Sequence, residues 1–118
     1  MSKKIVILRC LHSNDVCTGA ACLRAFNNRT SAFARYAGEE LRLEAYFSCD
    51  GCGRVAFNNS QGMAEKIAMI KQLAPDAVHL GVCTARRNAA GERIICDKIK
   101  KIADELAADS IEIVVGTH

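Results

Sequence analysis

The sequence predicts an α/β protein, and three observations carry that assignment. Short aliphatic runs alternate with helical patterns from one end of the chain to the other. The order of elements reads β-α-β-α-β-α-β, with no repeat, linker or low-complexity tract between them. Half of the 118 residues are hydrophobic, enough to bury one ordinary core without covalent or metal staples. A single domain over residues 1–118 is expected, with a parallel sheet covered by helices and right-handed crossovers.

Each element has its own signature. "KIVILR", residues 4–9, is a continuous aliphatic run, as expected of a strand buried on both faces. A helical pattern follows from Thr18 to about Ala37, with Cys22, Phe26, Phe33 and Ala37 near helical spacing and Gly38 as its stop. The polar "NNRTS" in its middle is a candidate break. "LRLEAYF", 41–47, alternates, with Leu41, Leu43, Ala45 and Phe47 on one side and Arg42, Glu44 and Tyr46 on a wetter one. That pattern suits an edge strand.

A second helix is expected from a cap at Asn59 or Ser60, with a stripe of Met63, Ile67, Ile70 and Ala74, and Pro75 ends it. "AVHLGV", 77–82, reads as a central strand. A third helix shows Ile95, Ile99, Ile102 and Leu106 against a charged face, and starts either near Gly91 or at Cys96. "IEIVV", 111–115, is short and partly polar, as another edge would be. With the first strand central and the second at an edge, the spatial order is 2-1-3-4. This is the start of a flavodoxin-like three-layer sandwich with helices on both faces.

Composition removes several function classes. The start, "MSKKIVILRC", is too short in its apolar run for a signal peptide, and no segment nears the ~18 apolar residues of a membrane span. A cytoplasmic, reducing location is expected, and no membrane partner. The formal charge of +3 leaves no footprint for nucleic acid. The basic residues that thicken between Arg86 and Lys101 read as a solvated helix face. Seven cysteines in such a chain, an odd number, point away from a disulfide framework and toward metal or redox chemistry.

The cysteines fall in a pattern. Cys10 follows the first strand, Cys49 and Cys52 the second, and Cys83 the third, while His118 follows the fourth. In a parallel sheet these exits share one rim, where neighbouring strands lie only ~4.8 Å apart and where open α/β sheets bind ligands. Three thiolates with a fourth Cys or His suit tetrahedral zinc, and an iron–sulfur cluster would use the same thiolates. Gly51 and Gly53 let the Cys49–Cys52 loop turn.

The remaining candidates divide between chemistry and packing. Cys22, on the apolar stripe of the first helix, serves packing or ligation equally well. Cys17 precedes that helix, whose N-terminal dipole favours a thiolate. Cys96 is packed or N-terminal according to where the third helix begins. His79 reads as a hydrogen-bonded core histidine. Arg86 and Arg87, just after Cys83, would offset thiolate charge and receive an anion, or simply project into water. Two motifs nearly match. "GCGRVA" has dinucleotide-fingerprint spacing but follows the wrong strand, and "VCTGAACLR" misses the Cys-x5-Arg phosphate loop by one residue.

Taken together, "IVILRC", "DVCTGAACLRAF", "SCDGCG", "VHLGVC" and the closing "GTH" resemble the CGGC-domain proteins, a small family named for a central Cys-Gly-Gly-Cys and suspected of binding metal. The resemblance covers nearly the whole chain. It implies candidate ligands at Cys10, Cys17, Cys22, Cys49, Cys52, Cys83, Cys96 and His118, and no established reaction. Asp50 replaces the first glycine of the motif, and Asp97 stands where a proline is more usual. The leading expectation is a cytosolic domain that binds zinc or an iron–sulfur cluster through Cys10, Cys49, Cys52 and Cys83. Cys17, Cys22, Cys96 and His118 form a second tier of metal or redox candidates. The alternatives are a thiol–disulfide redox enzyme using Cys49 and Cys52, and a binding module whose cysteines only pack.

Overall fold

The computed structural model describes residues 2–51 and 60–118. Its strands are β1 (Lys3–Arg9), β2 (Leu41–Ser48), β3 (Ala77–Leu80), β4 (Ala85–Arg87), β5 (Arg93–Ile95) and β6 (Glu112–Val115). The α-helices are α1 (Ala20–Asn28), α2 (Ser60–Leu73) and α3 (Asp97–Ala108). β1, β2, β3 and β6 form one parallel sheet in the order β2-β1-β3-β6. The segment expected as the fourth strand enters that sheet as β6, because two short strands absent from the sequence reading precede it in the chain.

The two central strands explain the layers. Ile5, Val6, Ile7 and Leu8 are all 0% exposed, so β1 is buried on both faces as its unbroken apolar run requires. Val6 and Leu8, with Val78 and Leu80 of β3, pack under α2 and α3 through Ile67, Ile70, Ile99, Ile102 and Leu106. Ile5, Ile7 and Ala77 pack on the other face against Cys22, Ala25 and Phe26 of α1 and against Phe33 and Tyr36. Helices therefore cover both faces. Each aliphatic side chain removed from water in this way contributes about 1.5–3 kcal/mol.

Four expectations change. The first helix ends at Asn28, because Arg29 takes the left-handed conformation (φ 55°) and the chain re-forms as a 3-10 turn over Ser31–Tyr36. The polar "NNRTS" is thus a break. Ala74 leaves the second helix, lying beyond Leu73 with φ 49°. The third helix starts at the Cys96 cap, so Ile95 belongs to β5 instead. β4 and β5 form an antiparallel hairpin whose turn is held by Asn88, which accepts the amides of Ala90 and Glu92 at 2.9 Å each. Arg86, Arg87 and Arg93 of the basic stretch accordingly sit on hairpin strands. The proposed cap Asn59 lies outside the described residues.

The edge strand β2 departs from simple alternation. Ile5 pairs with Leu43 but Val6 pairs with Ala45, so Glu44 is an extra residue. Such a bulge reverses the parity of every side chain beyond it. Leu41 and Leu43 share the α1 side with Tyr46, whereas Ala45 and Phe47 turn toward α2 and α3. The expected single apolar face of Leu41, Leu43, Ala45 and Phe47 is therefore divided, and Tyr46 is directed inward.

His79 ties β3 to the chain beyond β6. Its Nδ1 donates to the Gly116 carbonyl at 2.9 Å, which leaves Nε2 to accept the Tyr36 hydroxyl at 2.8 Å. Phe33 stacks on the imidazole with ring centroids 4.3 Å apart. Burial lowers the pKa of this fully enclosed ring, and the Gly116 carbonyl opposes that effect. The folded state consequently binds fewer protons here than the unfolded chain, whose histidine titrates near ~6.5. The stability contributed is complete above that pH and is lost as pH falls toward the lowered folded value. We expect urea-unfolding free energy to fall between pH 7.5 and 5 with a slope approaching about 1.4 kcal/mol per pH unit from this one group. His79→Gln, which keeps a donor for Gly116 and an acceptor for Tyr36, should flatten that slope. An unchanged slope in the variant would assign it to other groups.

Candidate functional site

Parallel pairing delivers four chain exits to one rim. β1 ends at Arg9 and leads into Cys10, and β2 ends at Ser48 and leads into Cys49. β3 leaves through Gly81 into a 3-10 turn, Val82–Thr84, that carries Cys83. β6 leaves through Gly116 into Thr117 and His118. Cys10 and Cys49 are buried, at 7% and 3% exposure, and Cys83 is half-buried.

The first group is made of these three thiols. The Cys10 backbone N–H donates to Cys83 Sγ at 3.3 Å. Burial pushes the Cys10 thiol up, the His12 amide pulls it down, and the Cys49 and Cys83 sulfurs push it up again. Cys10 thus has the sulfurs of two other strand exits as its electrostatic neighbours. Beside them, the Lys98 ammonium of α3 binds the Asp50 carboxylate at 3.1 Å and also donates to the Gly51 carbonyl. That places a cation against the Cys49–Gly51 turn, on the carboxylate that replaces the first motif glycine. Cys52 lies outside the described residues.

A second group lies on the α1 face. Cys22, third residue of α1 and 4% exposed, has its Sγ 3.2 Å from Thr117 Oγ1 and 3.6 Å from His118 Nδ1. Thr117 Oγ1 and His118 Nδ1 are 3.1 Å apart, which closes a triangle. Cys17 Sγ accepts the Gly19 N–H at 3.3 Å. Tyr46 reaches the same place from β2. Burial raises its pKa, and the Cys22 thiol beside it adds to the shift.

Gly81 stands between the two groups. A Cβ built there would lie 3.5 Å from Cys83 Sγ and 3.9 Å from Cys22 Sγ. Its carbonyl is held twice by Thr84, through the backbone N–H at 3.0 Å and the hydroxyl at 2.7 Å. Sequence reasoning missed Gly81, Thr84, Thr117 and Tyr46, since glycine and hydroxyl residues carry no ligand signal of their own and the bulge conceals the direction of Tyr46.

The other candidates are placed elsewhere. Cys96 caps α3, gives its N–H to the Thr84 carbonyl at 2.8 Å and packs at the edge of the α2–α3 core. Arg86 and Arg87 are exposed on β4, where the Arg87 guanidinium donates to the Gly91 carbonyl at 2.9 Å.

Comparison with known families gives a match to the CGGC domain over residues 4–118. The chain belongs to the CGGC domain family. An uncharacterised protein of Methanocaldococcus jannaschii is similar to this CGGC domain at 28% identity, covering 98% of the chain and 86% of that protein. No solved structure matches the chain.

The donor chemistry of the CGGC rim fits a thiophilic metal ion: buried sulfurs from separate strands, with a backbone N–H directed at one of them. Among the described residues no three Cys, His, Asp or Glu side chains already converge to metal-binding distance. The Cys52 side of the motif loop is the part not described.

The two glycines of the site have opposite tolerance. Gly81 has φ −61° and ψ 158°, an extended conformation open to any residue, and ordinary contact distances around a new methyl. Gly19 has φ 80°, and a Cβ there would meet Tyr46 Oη at 2.8 Å. We expect Gly81→Ala to leave the urea-unfolding free energy within about 1 kcal/mol of the parent, or slightly above it. Gly19→Ala should cost at least about 1–2 kcal/mol. Equal losses in both variants would contradict this account of the rim.

Proposed function

We propose that this CGGC domain binds a thiophilic metal ion, zinc foremost or alternatively an iron–sulfur cluster, at the carboxyl rim of its sheet. Cys10, Cys49 and Cys83 are the described ligands in this reading, with Cys52 as the fourth. The observation that carries it is the grouping of three thiols from three strand exits, with the Cys10 N–H donating to the Cys83 sulfur.

Physical chemistry supports the reading. Burial and the neighbouring Cys49 and Cys83 sulfurs raise the pKa of the Cys10 thiol, so a cation that offsets thiolate charge would favour its ionised form. A divalent ion does so directly, and metal binding then releases protons. Backbone amides aimed at sulfur stabilise the thiolate form and orient it, as outer partners of a metal site do. We read the sheet as the beginning of a flavodoxin-like arrangement, whose ligands enter at the carboxyl ends of the strands. A reducing compartment such as the cytoplasm would keep the thiols available. The proposed reading assigns no reaction.

The test is metal content. Protein prepared anaerobically with reductant should carry or take up zinc or iron, and Cys10→Ser and Cys83→Ser should each weaken binding at least about tenfold. Absence of metal under these conditions, together with a reversible Cys49–Cys52 disulfide, would replace this reading with thiol–disulfide chemistry.

A further inference from the structure

We infer that the cleft between the exits of β3 and β6 binds a small organic anion, a carboxylate carrying a short apolar chain, and that Arg93 receives the carboxylate. No cysteine lines this cleft, so the inference stands apart from the metal reading.

The cleft has a volume of about 360 Å³, at the lower end of the ~300–1,000 Å³ of small-molecule sites. Gly81 and Gly116 line it at the two strand exits, and the β4–β5 hairpin adds Ala85, Arg93 and Ile95. Its walls are tied in place by the protein's own hydrogen bonds. The Gly116 N–H donates to the Leu80 carbonyl at 2.8 Å, and the Gly116 carbonyl accepts from His79 at 2.9 Å. Thr84 holds the Gly81 carbonyl, and the Cys96 N–H donates to the Thr84 carbonyl at 2.8 Å. A preformed cleft binds without the cost of ordering loops.

Charge selects the ligand. Arg93 and His118 are the titratable side chains among the described residues that line the cleft, and neither Asp nor Glu is among them. The Arg93 guanidinium donates to the Val82 carbonyl at 3.1 Å, which anchors it and leaves its other N–H donors for a ligand. It makes no ion pair among the described residues. The hairpin register adds a second reason. Arg93 stands directly opposite Arg87, and like charges in that position are unfavourable. An anion on Arg93 offsets the repulsion in a hairpin that is marginal by itself.

Apolar surface defines the rest of the ligand. Val115 is 65% exposed at the end of β6 and lines the same cleft, with Ala32, Ala85 and Ile95. A short hydrocarbon chain covers that surface, while a planar carboxylate matches the fork of guanidinium donors.

The test is titration of the intact, reduced, isotope-labelled chain with sodium butyrate at constant ionic strength, followed by backbone amide shifts. The uncharged and cationic controls are n-butanol and n-butylamine. Butyrate should give saturable shifts at Gly81, Ala85, Gly116 and Thr117, and neither control should match them. Arg93→Gln should weaken butyrate binding at least about tenfold. Arg86→Gln, on the other face of the hairpin and outside the cleft, should leave it unchanged. Val115→Asp, at an exposed edge position, should abolish binding by placing a carboxylate in the cleft, and the amide spectrum of each variant checks its fold. Three results would each overturn the inference: no saturable shift, butanol shifts equal to those of butyrate, or parental affinity in folded Arg93→Gln.

Discussion

Parallel pairing of β1 with β2 on one side and β3 on the other is the constraint from which the rest of the structure follows. Strands that run the same way finish at the same rim, so residues far apart in sequence meet there without any direct connection. Cys10 and Cys83 are separated by 73 positions yet share a hydrogen bond of 3.3 Å. The pairing is held by burial on both faces. The apolar side chains of β1 divide strictly between two cores, Val6 and Leu8 under α2 and α3, Ile5 and Ile7 under α1. A slip of one residue would exchange these sets, which is why the register, and with it the rim, is well determined.

The two cores also explain why the thiols form two groups. Cys49 belongs with the α2–α3 side and Cys22 with the α1 side. At Gly81, where β3 has ended and no side chain intervenes, the sulfurs of Cys83 and Cys22 approach a common space. The site is thus built around the end of one central strand, and the residue with no side chain is where its two halves meet.

Polar anchoring supplies the precision that burial does not. Thr84 holds the Gly81 carbonyl, Lys98 holds the Asp50–Gly51 turn, and His79 holds Gly116. The Lys98 and His79 bonds connect a rim loop to an element whose position the cores already determine, and the Thr84 bond closes the turn that carries Cys83. Loops supported in this way can present thiols at defined distances while remaining outside regular structure.

Read alone, the sequence determined what local periodicity and chain order encode. The aliphatic run at 4–9 and the stripe Ile99–Ile102–Leu106 are intrinsic to neighbouring residues, and alternation of strand with helix implies parallel strands and one shared rim. Cys10, Cys49 and Cys83 were legible as candidates for that reason, and the CGGC family resemblance was legible from residues scattered along the whole chain. Tertiary structure decided the rest. The bulge at Glu44 turns Tyr46 inward because its extra residue is set by pairing with β1, not by the side chains of β2. The β4–β5 hairpin has strands of three residues, too short to show a period. Whether Cys22 meets His118, across 96 positions, depends on where β6 docks against β3, a long-range packing decision that no local pattern records.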